Sequence, residues 1–335
     1  MKLQWKTLAL AAALTLSGLA AQADPIVIKF SHVVAADTPK GKAAEYFKKL
    51  AEERLKGRVK IEIYPNSQLF KDKEELEALQ LGSVQMLAPS LAKFGPLGVK
   101  EFEVFDLPFL FDNYQELHKV TYGAIGQGML QKLESKGITG LAFWDNGFKQ
   151  RSANKPLHGV ADYKGLKMRI QASKVLDAQM RALGSNPQVM AFSEVYQALQ
   201  TGVVDGTENP MSNFYTQKMH EVQKHVTLTN HGYLGYAVIV NKKFWDGLPE
   251  DVRAALNQSM FNATQYANTI AQKENEEALA KVKASGKTVV YEPTVAERNE
   301  MKKALVKVHD QMDDRVGLEL VKKIYKETGF DPAKL

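Results

Sequence analysis

Arg169 lies in the run Lys167-Met168-Arg169-Ile170-Gln171, where two apolar residues alternate with charged and polar ones. In a strand, that alternation sends Arg169 to the face opposite Met168 and Ile170. A guanidinium placed there is costly to bury unless it is paired. Its partner is either an acidic residue of the chain or the carboxylate of a ligand, which the planar fork of arginine grips with two parallel hydrogen bonds. A second group of interest is Gly206-Thr207-Glu208-Asn209-Pro210-Met211-Ser212-Asn213, which follows the strand-like Val203-Val204. It reads as a polar loop at a strand end, where open α/β sheets place ligand-binding groups. Asn209 can donate and accept there at once. Phe94, Trp144, Phe148, Phe192, Tyr233 and Tyr236 form a third group. Most belong in a core, but those beside polar residues can wall a cleft and exclude water, which strengthens hydrogen bonds to a small anion.

Other chemistries find little support. His220 and His225 enclose a string resembling a zinc-binding HExxH, but they are one residue too far apart. On a helix that spacing sets the rings about 140° apart instead of on one face. The pair reads as surface or capping residues. The chain has no cysteine, which removes thiol nucleophiles, iron–sulfur clusters and cysteine zinc sites. There is no G-x-S-x-G elbow, and Gly123, Gly126 and Gly128 form neither a dinucleotide fingerprint nor a phosphate loop. Acidic pairs such as Glu74-Glu75 read as solvated helix faces. No acid, base and oxyanion donor assemble, so neither catalysis nor a cofactor is expected.

The formal net charge is +6 over 335 residues, with both signs interspersed. Nothing in this pattern suits nucleic acid, while a mildly positive field suits an anionic ligand. Lys2 and Lys6, the apolar run 8–21 and Ala21-Gln22-Ala23 make a secretory signal peptide cut after residue 23. The product is expected outside the inner membrane, not inserted in it. A chain this long can rely on a core instead of disulfides.

Elements that would carry these residues alternate along the chain. Strands are expected at Ile26–Ser31, Val59–Tyr64, 84–88, 167–171, 188–191 and 238–241. Helices are expected at Pro39–Leu55, 73–81, 174–183, 193–200 with Ser193 as N-cap, Glu250–Ser285, and one or two within 294–328. Two β-α-β runs separated by a break imply an α/β protein of two lobes, joined by crossing strands or helices.

These residues carry a resemblance. The runs PNSQL, GLKMRIQ and MAFSEVYQALQTGVVDGTENP resemble the periplasmic solute-binding subunits of tripartite ATP-independent (TRAP) transporters, in order and over nearly the whole chain. The segments WDNGFKQ and HGYLGYAVIVNKKFW are similar to the C4-dicarboxylate-binding, or DctP, branch. The resemblance implies a two-lobed periplasmic binding protein with hinge strands and a long helix spanning both lobes. It implies lobes of 24–146 with 235–274 and of 147–234 with 275–335. It puts the family's carboxylate-binding arginine on Arg169, its asparagine on Asn209 and its cleft phenylalanine on Phe192. His32, Ser90, Lys93 and Lys149 are further ligand-binding candidates, Lys149 standing where the family often has arginine. Asn146, Gln171, Asn213 and Tyr236 are candidate lining residues. The implied function is capture of succinate, fumarate or malate by a monomer that delivers it to TRAP membrane subunits. The alternatives are a receptor for a 2-oxo acid or uronate, and a periplasmic enzyme.

Overall fold

The computed structural model describes residues 24–334. The expected signal peptide, residues 1–23, lies outside the described residues.

The chain opens with strand β1 (Ile26–Ser31), helix α1 (Pro39–Leu55), β2 (Val59–Tyr64), α2 (Glu75–Gln80) and β3 (Met86–Leu87). Helices α3 (Tyr114–Thr121) and α4 (Ala124–Lys132) precede the long strand β4 (Ile138–Phe148). The middle of the chain builds β5 (Gln150–Ala153), β6 (Lys167–Ile170), α5 (Lys174–Ala182), β7 (Asn186–Val189), α6 (Val195–Gln200), β8 (Gly206–Asn209), α7 (Met211–Thr216) and β9 (His225–Thr227). It ends with β10 (Tyr233–Asn241), α8 (Lys242–Asp246), α9 (Glu250–Ser285), β11 (Val289–Tyr291), α10 (Val295–Val316) and α11 (Leu318–Thr328).

Two sheets result, one of order β2-β1-β3-β10-β4 and one of order β11-β9-β5-β8-β6-β7. Parallel pairing of β1 with β2 and β3, and of β6 with β7 and β8, marks one α/β unit in each. The sheets are joined by strands. The chain leaves β4, passes one residue, Lys149, and enters β5 in the other sheet. It returns from β9 into β10, which runs antiparallel to β4 from Tyr233 opposite Phe148 to Asn241 opposite Ile138. The two crossing strands are thus hydrogen-bonded to each other, and the molecule is the expected two-lobed α/β fold.

Local chemistry sets these elements. Thr38 caps α1 by accepting from the Gly41 N–H, and Pro39 suits the first helical turn. Ala43, Ala44, Phe47 and Ala51 form the buried stripe expected of that helix. Helix α9 has 36 residues and spans about 54 Å at the usual rise. Its Val252, Leu256, Ala263 and Ala267 pack in the core under β1 and β2, while Ala278 and Val282 pack with Val195, Leu199 and Phe214 beside the second sheet. Small residues along its buried stripe let it lie close to both. Gly206 has no room for a side chain: a Cβ there would strike the Ser152 carbonyl of the neighbouring strand.

Several boundaries differ from the sequence reading. Val203-Val204 is not a strand, and the expected polar loop 206–213 is instead β8, buried along its whole length, followed by the start of α7. Glu208 is tolerable in that strand because Lys149 is its cationic partner, a long-range fact. Ser193 does not cap α6; a short 3-10 turn, Phe192–Glu194, precedes it. Glu75 is not a solvated helix residue but is 1% exposed.

Candidate functional site

Residue Arg169 sits on β6, between β7 and β8. The residue is 2% exposed. Nε and Nη2 both donate to the Met190 carbonyl, at 3.1 and 2.8 Å. The Phe192 ring centre lies 5.7 Å from the guanidinium carbon. Among the described residues no carboxylate forms an ion pair with Arg169. Burial lowers its pKa, and Asp72 and Glu208, acting from further off, oppose that effect. Neither the Met190 carbonyl nor the aromatic face carries the full negative charge that arginine would take as partner.

A small, partly open cavity borders this guanidinium. Arg169, Gln171, Phe192, Asn209 and Asn213 face it from the second sheet and the segments attached to it. Ser90 and Lys93 follow β3, Leu234 and Tyr236 are on β10, and Val33, Val34 and Asp72 come from loops of the first lobe. Eight of the eleven sequence candidates therefore converge on one chamber between the lobes. It has cations and amides on its walls and an apolar patch at Val33, Val34 and Leu234, a surface suited to a short anion with a hydrocarbon middle.

Hydrogen bonding positions these groups. Gln171 Nε2 donates to Ser90 Oγ at 2.6 Å, across the chamber. Asn146 does not line the cavity but holds two residues that do. Its Nδ2 donates to Asn213 Oδ1 at 2.9 Å and to Tyr236 Oη at 2.5 Å, and its Oδ1 accepts from Ser212 Oγ at 2.8 Å. Asn209 makes only long contacts, 3.4 Å to Thr207 Oγ1 and 3.6 Å to Met219 Sδ, which leaves its amide largely unspent.

Lys93 is buried and ion-paired to both Asp72 and Glu75. Burial disfavours its charge, but the two carboxylates outweigh burial and raise its pKa. Burial would raise Asp72, yet Lys93 and then Arg169 hold it down at about 2. Behind this group lies Lys40, fully buried, its Nζ 2.9 Å from the Ala88 carbonyl and 3.7 Å above the Tyr236 ring centre. Burial, with Lys93 nearby, lowers its pKa to about 7.

Two candidates stand elsewhere. Lys149 does not reach the chamber: its Nζ is 2.7 Å from Glu208 and 3.9 Å from Asp106, in a buried cluster at the crossover. His32 is buried beside Lys40, its ring nitrogens without partners among the described residues, while the neighbouring Val33 and Val34 line the cavity instead. Of the aromatic group, Trp144 donates to Thr264 in the core, Tyr233 donates to Asp145, and Phe94 packs on Phe102. His220 lies in a 3-10 turn stacked on Tyr215, and His225 opens β9, so they share no helix face. Among the described residues no group of three or more His, Cys, Asp or Glu is placed to hold a metal ion.

Asp72, Glu75 and Lys40 escaped the sequence reading. All three occur in charge-rich stretches that resemble ordinary helix surface, and only contacts with distant segments bury them.

Comparison with known proteins agrees with this architecture. Residues 30–315 match DctP, bacterial extracellular solute-binding protein family 7. The chain is 67% identical over 301 residues to the C4-dicarboxylate-binding periplasmic protein DctP of Rhodobacter capsulatus, covering 90% of each. Its structure superposes on a TRAP periplasmic solute-binding protein of Sulfurospirillum deleyianum with bound succinate, at a TM-score of 0.87, 45% identity, and coverage of 89% of this chain and 98% of that one. A TRAP solute-binding protein of Pseudomonas aeruginosa with bound L-malate gives 0.84 at 44% identity, covering 86% and 100%. With two lobes enclosing a cationic chamber and a family match over most of its length, this chain belongs to the DctP family of bacterial extracellular solute-binding proteins.

Proposed function

We propose that this protein is the periplasmic solute-binding subunit of a TRAP transporter and captures a C4-dicarboxylate, succinate, fumarate or malate, in the chamber at Arg169. The observation that carries this reading is a buried guanidinium with no ion-paired carboxylate among the described residues, facing a small cavity between the lobes. One ligand carboxylate takes the Arg169 fork, with Asn209 bonding the same end. The apolar patch receives the methylenes, and Ser90 and Lys93 receive the far carboxylate. Binding draws the lobes 24–146 with 235–274 and 147–234 with 275–335 together about the β4–β10 crossing. Closure follows because the ligand touches both lobes; a ligand with equal affinity for open and closed forms would shift nothing.

Relatives described as binding succinate and L-malate support the ligand class. In this reading the protein is a monomer and not an enzyme, it lies in the periplasm with residues 1–23 removed, and its closed form docks on the membrane subunits. A thermal-shift and calorimetry screen tests it. Succinate, fumarate or malate should raise the melting temperature and bind one per chain, and NMR should recover the acid unchanged. A response only to uronates or 2-oxo acids, or none to any organic acid, overturns the C4-dicarboxylate assignment.

A further inference from the structure

A carboxylate on the wall of a chamber meant for anions needs an explanation, and the position of Asp72 supplies one. Asp72 lies on the loop before α2, in the first lobe, and its side chain is 12% exposed. One oxygen is ion-paired to Lys93 of the same lobe. The other accepts the backbone N–H of Phe192, which follows β7 in the second lobe. Phe192 is itself a wall of the chamber.

A second small cavity lies against the first. It is lined by Asp72, Lys93, Arg169 and Gln171, which both cavities share, and by Lys73, Ala172, Val189, Met190 and Ala191. Val189 is exposed, so this outer space lies towards the surface. The chain of contacts Lys93–Asp72–Phe192 stands at the wall common to the two. The adjacent Lys71–Glu194 ion pair spans the same gap at 3.1 Å, but both side chains are about half exposed, and such pairs contribute little. The buried bond from the Phe192 N–H to a charged acceptor is the stronger tie.

We propose that Asp72 is a positioning residue for closure: its carboxylate fastens Lys93 to the Phe192 backbone across the mouth of the chamber and so governs how long the chamber stays shut. The inference rests on the reading of this chamber as the ligand site. Lys93 keeps Glu75 when Asp72 is removed, so the substitution strands no buried ammonium.

The test uses the full mature chain with Glu77→Cys and Gln197→Cys, exposed positions on α2 and α6, spin-labelled without interference because the sequence has no other cysteine. Distances between the labels are measured in Asp72 and in the Asp72→Ala and Asp72→Asn variants, without ligand and with saturating succinate. Without ligand, Asp72→Ala shifts the distribution to longer distances, and Asp72→Asn, which keeps an acceptor, shifts it less. In stopped flow, succinate leaves Asp72→Ala about tenfold or more faster, while its association rate changes little. Unchanged ligand-free distances, or a lowered melting temperature with an unchanged release rate, overturn the proposal. If the unsubstituted chain binds no organic acid, the reading of the chamber fails, and the ligand-free distances alone decide the role of Asp72.

Discussion

Lys149 Nζ lies 2.7 Å from Glu208 Oε1, with both side chains almost wholly out of solvent, at the one residue where β4 passes into β5. The other oxygen of Glu208 meets His231 Nε2 at 2.7 Å, and His231 Nδ1 meets Thr229 Oγ1 at 2.7 Å. Burial pushes Glu208 up, but Lys149 and then His231 hold it well below the usual carboxylate range. Burial, with Arg151 nearby, lowers His231 to about 3, so its ring is neutral at neutral pH. The lysine is therefore the cation that Glu208 requires. Lys149→Met should cost about 3–5 kcal/mol, because it leaves a buried carboxylate without its ion-pair partner. Adding Glu208→Gln should recover much of that loss. The glutamate's contribution is present above the unfolded pKa of about 4.3 and is lost as pH falls towards its depressed native value. Urea denaturation of the two variants measures both effects. A Lys149→Met protein as stable as its parent would refute the assignment, and one that folds but no longer binds would return Lys149 to the ligand site.

The Arg169 fork makes a separate prediction. Removing one partner of a buried charge pair costs roughly 2–5 kcal/mol, or about thirtyfold to several thousandfold in affinity. Arg169→Ala should fall in that range by calorimetry with succinate. Arg169→Lys should also bind poorly, since an ammonium keeps the charge but loses the two-pronged geometry. The Met190 carbonyl loses its donors in both variants, so the melting temperature of the ligand-free proteins must be measured alongside. Near-parental affinity in Arg169→Ala would remove Arg169 from the site.

Asn146 acts from behind the wall. Its amide nitrogen donates to Asn213 and Tyr236, and both acceptors face the chamber. Asn146→Asp has nearly the same shape but replaces that donor with an acceptor. Asn213 can turn its amide to donate, while the Tyr236 hydroxyl must also reverse, which breaks the arrangement the pair now shares. Affinity should fall about tenfold, in line with about 1–2 kcal/mol for a disturbed buried hydrogen bond. The test is calorimetry on Asn146→Asp beside Asn275→Ala, since Asn275 donates to the Asn146 carbonyl and its own helix and accepts from the Ser212 N–H, so that it holds backbone and not the Asn146 side chain. Equal losses in the two would mean that the effect comes from the backbone and not from the Asn146 side chain.

The fold was legible where local chemistry decides it. The ends of α1 follow from Thr38 and Pro39 at one side, and α9 ends at Gly286 in the left-handed region. The alternation around Met168 and Ile170 placed Arg169 on the face that proved to border the chamber. What was not legible depends on contacts between distant segments. Glu208 reads as a loop residue until Lys149, 59 positions away, is seen to neutralise it and His231 to hydrogen-bond it inside β8. Lys149 reads as a ligand residue by the same omission. Lys40 and Glu75 read as helix surface because nothing in their own helices says that Ala88 or Lys93 will cover them. Sequence patterning reports which face is apolar, but a buried ion pair is a property of two faces meeting.

Lys40 gives the last prediction, a pair of opposite pH slopes. Its ammonium faces the Ala88 carbonyl, the Tyr236 ring, Lys93, Glu75, Asp72 and the His32 ring. Burial, then Lys93, lowers its pKa to about 7, while burial, then Lys40, lowers His32 to about 3, out of the same window. Asp72 at about 2 is also out of it, and Lys93 is raised above the ordinary lysine value. Between about pH 7 and the unfolded value of about 10.4, the unfolded chain binds more protons at this position than the native one, so stability rises with pH. A dianion in the chamber acts the other way. It favours the ammonium, binding takes up part of a proton, and affinity falls as pH rises above about 7, by at most about tenfold per unit. Lys40→Met should flatten both slopes. Calorimetry in buffers of different ionisation enthalpy measures the proton uptake directly at pH 7.5. Uptake that persists unchanged in Lys40→Met would assign it to another group and leave Lys40 as a packing residue beneath Tyr236.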